Sequence, residues 1–460
     1  MTAQWFASSV RPDVVQSHLR RHVPELSNGS LRLTRCQITR IRSVPPAGAW
    51  TATYELDLLD SKTGVEWTYA TKGLLTPPDS LMPDLVDSTP FGTEGWSAIL
   101  PELRLQLRAM PADIGLPGLA AITDPEQALT ILRSVLGGRD SRQSTRTLTK
   151  CAPTIISHKP GVRATVLCGI EYDGGPLPSA DWPDAVVIKI HHDDEGLRSY
   201  EAMRALYDSA LGSSHVLGLA QPLAYVPELR MSVQDHVRHR GSLKDLFVAA
   251  LERQGPADWG ELTEAMRATA AALAALHQCD IDYGESVTFS HEFAILRSKH
   301  AKLATVMPAL RDQVGSALDR IEAASGQAAE DALGPAHHSF RPAQVLLGGR
   351  VSFIDFDKFC RAEPASDIAS LTTKLLHMGV NKIAGPALGT MAERVEHMME
   401  LRAEFLTAYE RNAPASRDRL MIWEAYELAC LVLSAAKKVD QARIDSCSRI
   451  LEDHLITHGI

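Results

Sequence analysis

Between residues 240 and 440 the apolar residues recur at helical spacing almost without a break, and one interruption constrains the fold more than any other feature of the chain. Val345–Leu347 and Val351–Asp355 are short apolar runs around the turn Gly348-Gly349-Arg350, which reads as a β-hairpin inside a helical half. Two short strands in such surroundings need a reason, and function is the usual one. Before the hairpin runs His337-His338-Ser339-Phe340-Arg341-Pro342-Ala343-Gln344; after it come Asp355-Phe356-Asp357 and Glu363-Pro364-Ala365-Ser366-Asp367. A polar loop, a stiff hairpin and a carboxylate at the strand end are the parts phosphoryl transfer uses. It needs oxygens for a cation, a group facing the acceptor hydroxyl and a fixed frame, because catalysis there is mostly positioning and charge neutralisation.

The remainder organises around that half. Residues 1–30 read as helical, and a period of two follows in Cys36–Val44, Ala49–Leu59 and Val65–Leu75, with the turn Asp60-Ser61-Lys62-Thr63-Gly64 before the third run. The pattern predicts helices near 95–110 and 125–137, then a polar linker over 138–148. The strand arrangement then recurs as Ala152–His158, the turn Lys159-Pro160-Gly161-Val162, Arg163–Tyr172 and Asp184–His191. Lys72 follows Cys36 by 36 residues and Lys189 follows Cys151 by 38, so Lys72 is expected as the counterpart of Lys189 in a duplicated unit. A helix over Glu195–Leu211 and strands over Val216–Val226 and Leu229–Val237 complete the mixed part. The expected domains are an N-terminal α+β extension at 1–140, a strand-rich lobe at 150–237 and a helical lobe at 238–460.

Composition bounds the class without naming a reaction. The 460 residues allow two or three domains, and 22% charged with 45% hydrophobic residues is the balance of an ordinary globular chain. A net charge of -9 argues against nucleic acid as partner. The seven cysteines include no CxxC pair and read as separate reduced thiols, the N-terminus has no secretory pattern, and no apolar stretch reaches membrane-spanning length. A cytoplasmic protein with no membrane partner is expected. Neither His191-His192 nor His337-His338 reads as a zinc site, since adjacent histidines rarely face one ion.

At the 337–367 motifs the chain resembles the aminoglycoside phosphotransferase family, small-molecule relatives of protein kinases. His337 matches the family's catalytic-loop histidine, Pro342 its proline, Asp355 its metal-binding aspartate and Asp367 its structural aspartate. Upstream, Val186-Val187-Ile188-Lys189 is similar to the strand whose lysine holds the nucleotide phosphates, with Glu201 where its carboxylate partner would stand. Met231–Val237 resembles the hinge, and Leu262–His277 the long helix under the catalytic loop. The resemblance covers about residues 150–450 and implies an α+β, protein-kinase-like two-lobed fold with an extra N-terminal α+β extension. It implies ATP and magnesium as cofactors and a hydroxyl acceptor on a small molecule, an antibiotic or a peptide Ser/Thr. Lys159, Gly161, Lys189, Glu201, Val233, Gln234 and Asp235 would bind the nucleotide, Gln344, Asp355 and Asp357 the metal, and Ser339 with Arg341 would face the acceptor.

Two positions depart from the family. Ser339 stands where the family has the aspartate that accepts the acceptor's proton, and Gln344 where it has a metal-binding asparagine. A serine is no base at neutral pH without activation, although a loose transition state asks little of a base. Gln344 keeps the amide oxygen on a stem one methylene longer. The alternative function is a catalytically impaired pseudokinase serving as a nucleotide-binding or scaffold module.

Overall fold

Alternation builds the first sheet. In β2 (Ala49–Asp60), Trp50, Ala52, Tyr54, Leu56 and Leu58 point one way and are buried, while the intervening side chains are more exposed. β2 pairs antiparallel with β1 (Leu31–Val44) and β3 (Glu66–Leu75), and β3 pairs with β5 (Leu105–Ala109), which carries β4 (Ser97–Leu100) at the edge. The order is β1-β2-β3-β5-β4. The computed structural model describes residues 2–44, 48–82, 91, 96–109, 116–136, 147–159, 161–173, 183–253, 255–381 and 391–460. The linker expected at 138–148 falls almost wholly outside them.

The helix expected near 95–110 is instead the β4–β5 hairpin. Pro101 has no N–H to give a helix interior and sits at the start of a 3₁₀ turn, Pro101–Leu103. Arg104 then takes φ 48, and its Nε donates to the carbonyls of Thr76 (3.0 Å) and Pro77 (3.1 Å).

Two units that do not follow chain order divide the molecule. The first comprises residues 1–112, 290–327 and 425–460; the second comprises 113–289 and 328–424. In the first, helices over Thr2–Ser9, Pro12–His22 and Pro24–Ser27 join the sheet, and Ile41 N–H donates to the Lys437 carbonyl at 2.8 Å. Arg320 donates to Glu452 and to the carbonyl of Ile460, fixing the C-terminal helix Gln441–His458 within that unit.

The second unit has its own antiparallel sheet of β6 (Leu148–Lys159), β7 (Arg163–Tyr172), β8 (Ala185–His191), β10 (Pro222–Val226) and β11 (Met231–Asp235), in the order β10-β11-β8-β7-β6. β9 is the short strand Gly218–Leu219. Leu132 and Leu136 of the helix Pro125–Leu136 pack into one core with Val166, Ile188 and Val233 of this sheet. The helix Glu195–Asp208 turns Ser199, Ala202, Met203 and Leu206 inward. Helices over Leu243–Arg253, Pro256–His277, Pro364–Asn381 and Met391–Glu410 form the helical part, and β12 (Val345–Leu347) with β13 (Val351–Phe353) is the hairpin expected inside it.

The two sheets share more than strand order. Each joins its last two strands through Pro-Glu-Leu-Arg, 101–104 in one and 227–230 in the other, with the arginine left-handed at φ 48 and φ 46. Thr76 N–H donates to the Arg104 carbonyl at 3.0 Å, as His191 N–H does to that of Arg230 at 3.1 Å. Counting pairs from these arginines, Lys189 opposite Ser232 corresponds to Leu74 opposite Gln106. Lys72 opposite Arg108 corresponds to Val187 opposite Gln234, so Lys72 is not the counterpart of Lys189. The two-residue difference in the Cys-to-Lys spacings, 36 against 38, is this offset.

Candidate active site

The loop before the hairpin is held from both ends. Asp367, fully buried near the start of its helix, accepts the backbone N–H groups of His337 (2.6 Å) and His338 (2.8 Å) and Nε2–H of His277 (3.2 Å). Tyr409 O–H donates to the other His277 nitrogen at 2.7 Å, completing the network. At the other end, His337 Nε2–H donates to the carbonyl of Ile354 at 2.9 Å, fixing the residue before Asp355. His338 and Asp355 both have positive φ, 57 and 71, conformations that cost a non-glycine residue about 1–2 kcal/mol and persist only where surroundings impose them. Phe340, Phe353 and Phe356 form the buried floor, with the first two ring centroids 4.7 Å apart.

Burial pushes the His337 imidazole below its ordinary value, with Asp367 opposing. The folded state then binds fewer protons than the unfolded chain, so this ring contributes stability at neutral pH that is lost as pH falls below about 6.5. We expect His337→Asn to flatten the decline in melting temperature between neutral and mildly acidic pH, measured by a thermal-melt series; an unchanged slope would assign the decline elsewhere.

Charge concentrates where β8 faces the hairpin. Lys189 Nζ lies 2.6 Å from Asp355 Oδ1 and 2.8 Å from Asp357 Oδ1. Burial alone would lower the Lys189 ammonium, but Asp357 and Asp355 outweigh it and hold it above its ordinary value. Burial would raise both carboxyls, and Lys189 more than offsets it, so both stay ionised. Asp357 also accepts from Ser199 Oγ (2.8 Å) and Arg163 Nη1 (3.0 Å), with His191 Nε2 at 3.6 Å. Gln344 Nε2 donates to Asp355 Oδ2 at 2.9 Å while its Oε1 accepts Arg341 N–H at 2.9 Å, and Arg341 Nη2 stands 3.8 Å from Asp355.

Of the residues expected in the site, Lys189, Asp355, Asp357, Gln344 and Arg341 converge. Ser339 is half-buried two residues after His337, and among the described residues its hydroxyl has no hydrogen-bond partner. Lys159 ends β6, and Gly161 turns the chain into β7 with φ 64. Val233 is buried opposite Ile188, and the Asp235 backbone N–H donates to Gln221 at 2.8 Å. Gln234 lies opposite Val187, and burial raises the Asp235 carboxyl.

Glu201 does not pair with Lys189. It is exposed and accepts Tyr283 O–H at 3.1 Å, because the inward stripe of its helix runs through Ser199, Ala202, Met203 and Leu206 and leaves position 201 outside. Helical periodicity was the signal that would have favoured Ser199. Arg163 and His191 were also missed; they are a cross-strand pair of β7 and β8, visible only once the register is known.

Compared with known families, residues 181–420, a little over half of the chain, match the phosphotransferase enzyme family, APH. The chain belongs to that family. Family membership makes it a phosphotransferase, and its α+β architecture is the kinase-like one. It is similar in fold to a glucosamine kinase solved with glucosamine, ADP and inorganic phosphate, at 14% identity over 96% of this chain and 99% of that one, TM-score 0.49. It is also similar to choline kinase from Cryptosporidium parvum Iowa II (12% identity, 73% and 97% covered, TM-score 0.48). A thermostable mutant of aminoglycoside phosphotransferase APH(4)-Ia matches at 14% identity, with 72% and 98% covered and TM-score 0.45. No curated protein matches by sequence. Among the described residues no helix is long and apolar enough to cross a membrane.

Proposed function

We propose that this phosphotransferase moves the γ-phosphoryl group of ATP, with magnesium, to a hydroxyl of a small molecule. The observation that carries the reading is the convergence of Lys189, Asp355, Asp357 and Gln344 at the loop that presents Ser339. Two ionised carboxylates and an amide supply hard oxygen donors, which fit magnesium. Asp355 and Asp357, with Gln344 after its amide rotates, would hold the ion. When bound it supplies charge neutralisation at the phosphate oxygens.

The chain's own residues do the rest. Lys189, freed from Asp355 when nucleotide enters, is placed to pair with the α/β-phosphates, and Arg163 lies beside it. Arg163 thus becomes a second cation at the phosphate-facing end of β7, where the turn holds the single glycine Gly161. The N-terminal sheet reads as a degenerate copy of the nucleotide lobe. Leu74 at the place of Lys189 supports a bracing role rather than a second nucleotide site. A small negative net charge suits a cationic acceptor, so amino sugars, aminoglycosides and amino alcohols are the first compounds to test, with a Ser/Thr peptide as the other class.

The absent carboxylate at position 339 favours a second reading, the pseudokinase that binds nucleotide without turning it over. Ser339→Asp separates the two. A positioned base contributes about 10²–10⁴-fold in general, and less where the transition state is loose. We expect a rise in kcat of about tenfold or more with magnesium-ATP and an acceptor. No phosphate transfer by wild type or variant to any acceptor, with nucleotide still raising the melting temperature, would leave the scaffold reading standing.

A further inference from the structure

Outside the phosphotransfer site, three metal-binding side chains meet on the first unit. His18 and His22 lie one turn apart on the helix Pro12–His22, their rings parallel with centroids 6.0 Å apart. Glu102, in the turn Pro101–Leu103, places Oε2 3.5 Å from His18 Nδ1 and 3.2 Å from His22 Nε2. The three ligand atoms all lie within 4.8 Å of one another. Donors at ordinary zinc distances in a tetrahedral site stand about 3.4 Å apart. Two edges of the triangle already have that length, and the third closes by a small rotation of the imidazole rings.

A bare ion pair explains this arrangement poorly. His18 Nδ1 is buried and has no hydrogen-bond partner, so the carboxylate 3.5 Å away leaves it unsatisfied. Arg21, next to His22 in the chain, approaches Glu102 only to 4.0 Å and is 63% exposed, so it can swing aside. The frame is fixed on both sides. Val15 and Leu19 bury the inner face of the helix, and Leu103 is buried beside Glu102. Ser9 Oγ donates to the Leu103 carbonyl at 2.6 Å, and Tyr54 O–H donates to that of Ser9 at 2.8 Å. Two histidines at i and i+4 on one helix face, with a carboxylate from a second rigid element, are a ligand set of the kind that leaves a fourth position for water. Among the described residues no other three His, Cys, Asp or Glu side chains converge in this way.

We propose that His18, His22 and Glu102 form a zinc(II)-class metal site, an ion that ties the N-terminal helix to the turn between β4 and β5. The test uses full-length protein stripped with chelator and desalted, titrated with zinc chloride alone by calorimetry and by melting temperature, then with cobalt(II) by visible absorption. One saturable equivalent, a raised melting temperature and an intense four-coordinate cobalt spectrum are expected. His22→Ala and Glu102→Gln should each weaken binding about tenfold or more, whereas His454→Ala, in another helical histidine pair, should bind as wild type. Both test positions are on the surface, where substitutions cost little stability, and circular dichroism checks the fold. Wild type that binds no zinc, or variants that bind it as tightly as wild type, would overturn the site.

Discussion

Asp355→Asn should abolish phosphoryl transfer while leaving the protein folded. The exchange keeps shape and removes one negative charge where Lys189, Gln344 and Arg341 meet. Asp357 remains on Lys189 at 2.8 Å, so the lysine is not left as an unpaired buried cation, and the single amide oxygen can still accept from Gln344 while giving up the contact with Lys189. What is lost is the carboxylate that would hold the magnesium ion against the nucleotide. Removing one such stabilising group costs about 10²–10³-fold in kcat elsewhere, and the loss here belongs at the upper end because the charge lies in a largely water-excluded site. Nucleotide binding should weaken less than turnover falls, since Lys189 and Arg163 stay in place. The measurement is steady-state turnover with magnesium-ATP beside a nucleotide thermal shift. Turnover equal to wild type would remove Asp355 from the site.

How much of this was legible depended on whether the signal was local. The hairpin inside the helical half, the catalytic loop and Asp355 lie within 31 residues, 337–367, and their order along the chain places them in space. Period-two alternation marks β1–β3 of the first sheet and the strands of the second for the same reason. The hairpin at 97–109 also fits a helix, because Leu100, Leu103 and Leu107 stand at i, i+3 and i+7, and only Pro101 argues otherwise. Residues chosen by register were harder. Arg163 meets Asp357 across 194 positions, and Ser199 meets it across 158, with nothing in either neighbourhood to announce the contact. The Lys72 error differs: it pairs lysine with lysine across unequal spacings, whereas the equal spacing of 38 from Cys36 reaches Leu74, the residue that strand pairing also selects. Glu201 failed differently: its charge attracted attention although its helical phase pointed it outward.

The repeated Pro-Glu-Leu-Arg shows what local sequence can encode in full. Proline opens the 3₁₀ turn, the arginine takes a left-handed conformation, and its guanidinium satisfies carbonyls just past the neighbouring strand, at Thr76 and Pro77 in one sheet and at His192 in the other. That is a device for closing the edge hairpin, and it works whether or not the sheet carries a lysine at the place of Lys189. The N-terminal sheet keeps the device and lacks the lysine.

The largest stability effect is expected from Glu363→Ala. Glu363 and Arg419 are almost completely buried, 1% and 0% exposed at the side chain, and form a two-pronged pair with both contacts at 2.6 Å. The guanidinium also stacks over the Phe289 ring, 5.1 Å from its centroid. Truncating the acid takes the two-pronged carboxylate away from a buried guanidinium, which costs about 3–5 kcal/mol. The position matters for chemistry too. Glu363 immediately precedes the helix that begins at Pro364, its carbonyl accepts both N–H and O–H of Ser366, and Asp367 follows with the loop's backbone on its carboxylate. Loosening that start should lower kcat along with stability, although residue 363 touches neither nucleotide nor acceptor. Denaturant unfolding of Glu363→Ala, Arg419→Met and the double variant Glu363→Leu/Arg419→Met separates charge from packing. If the single losses come from an unpaired buried charge, the double variant should recover most of the stability. A double variant no more stable than the worse single one would locate the loss in packing instead.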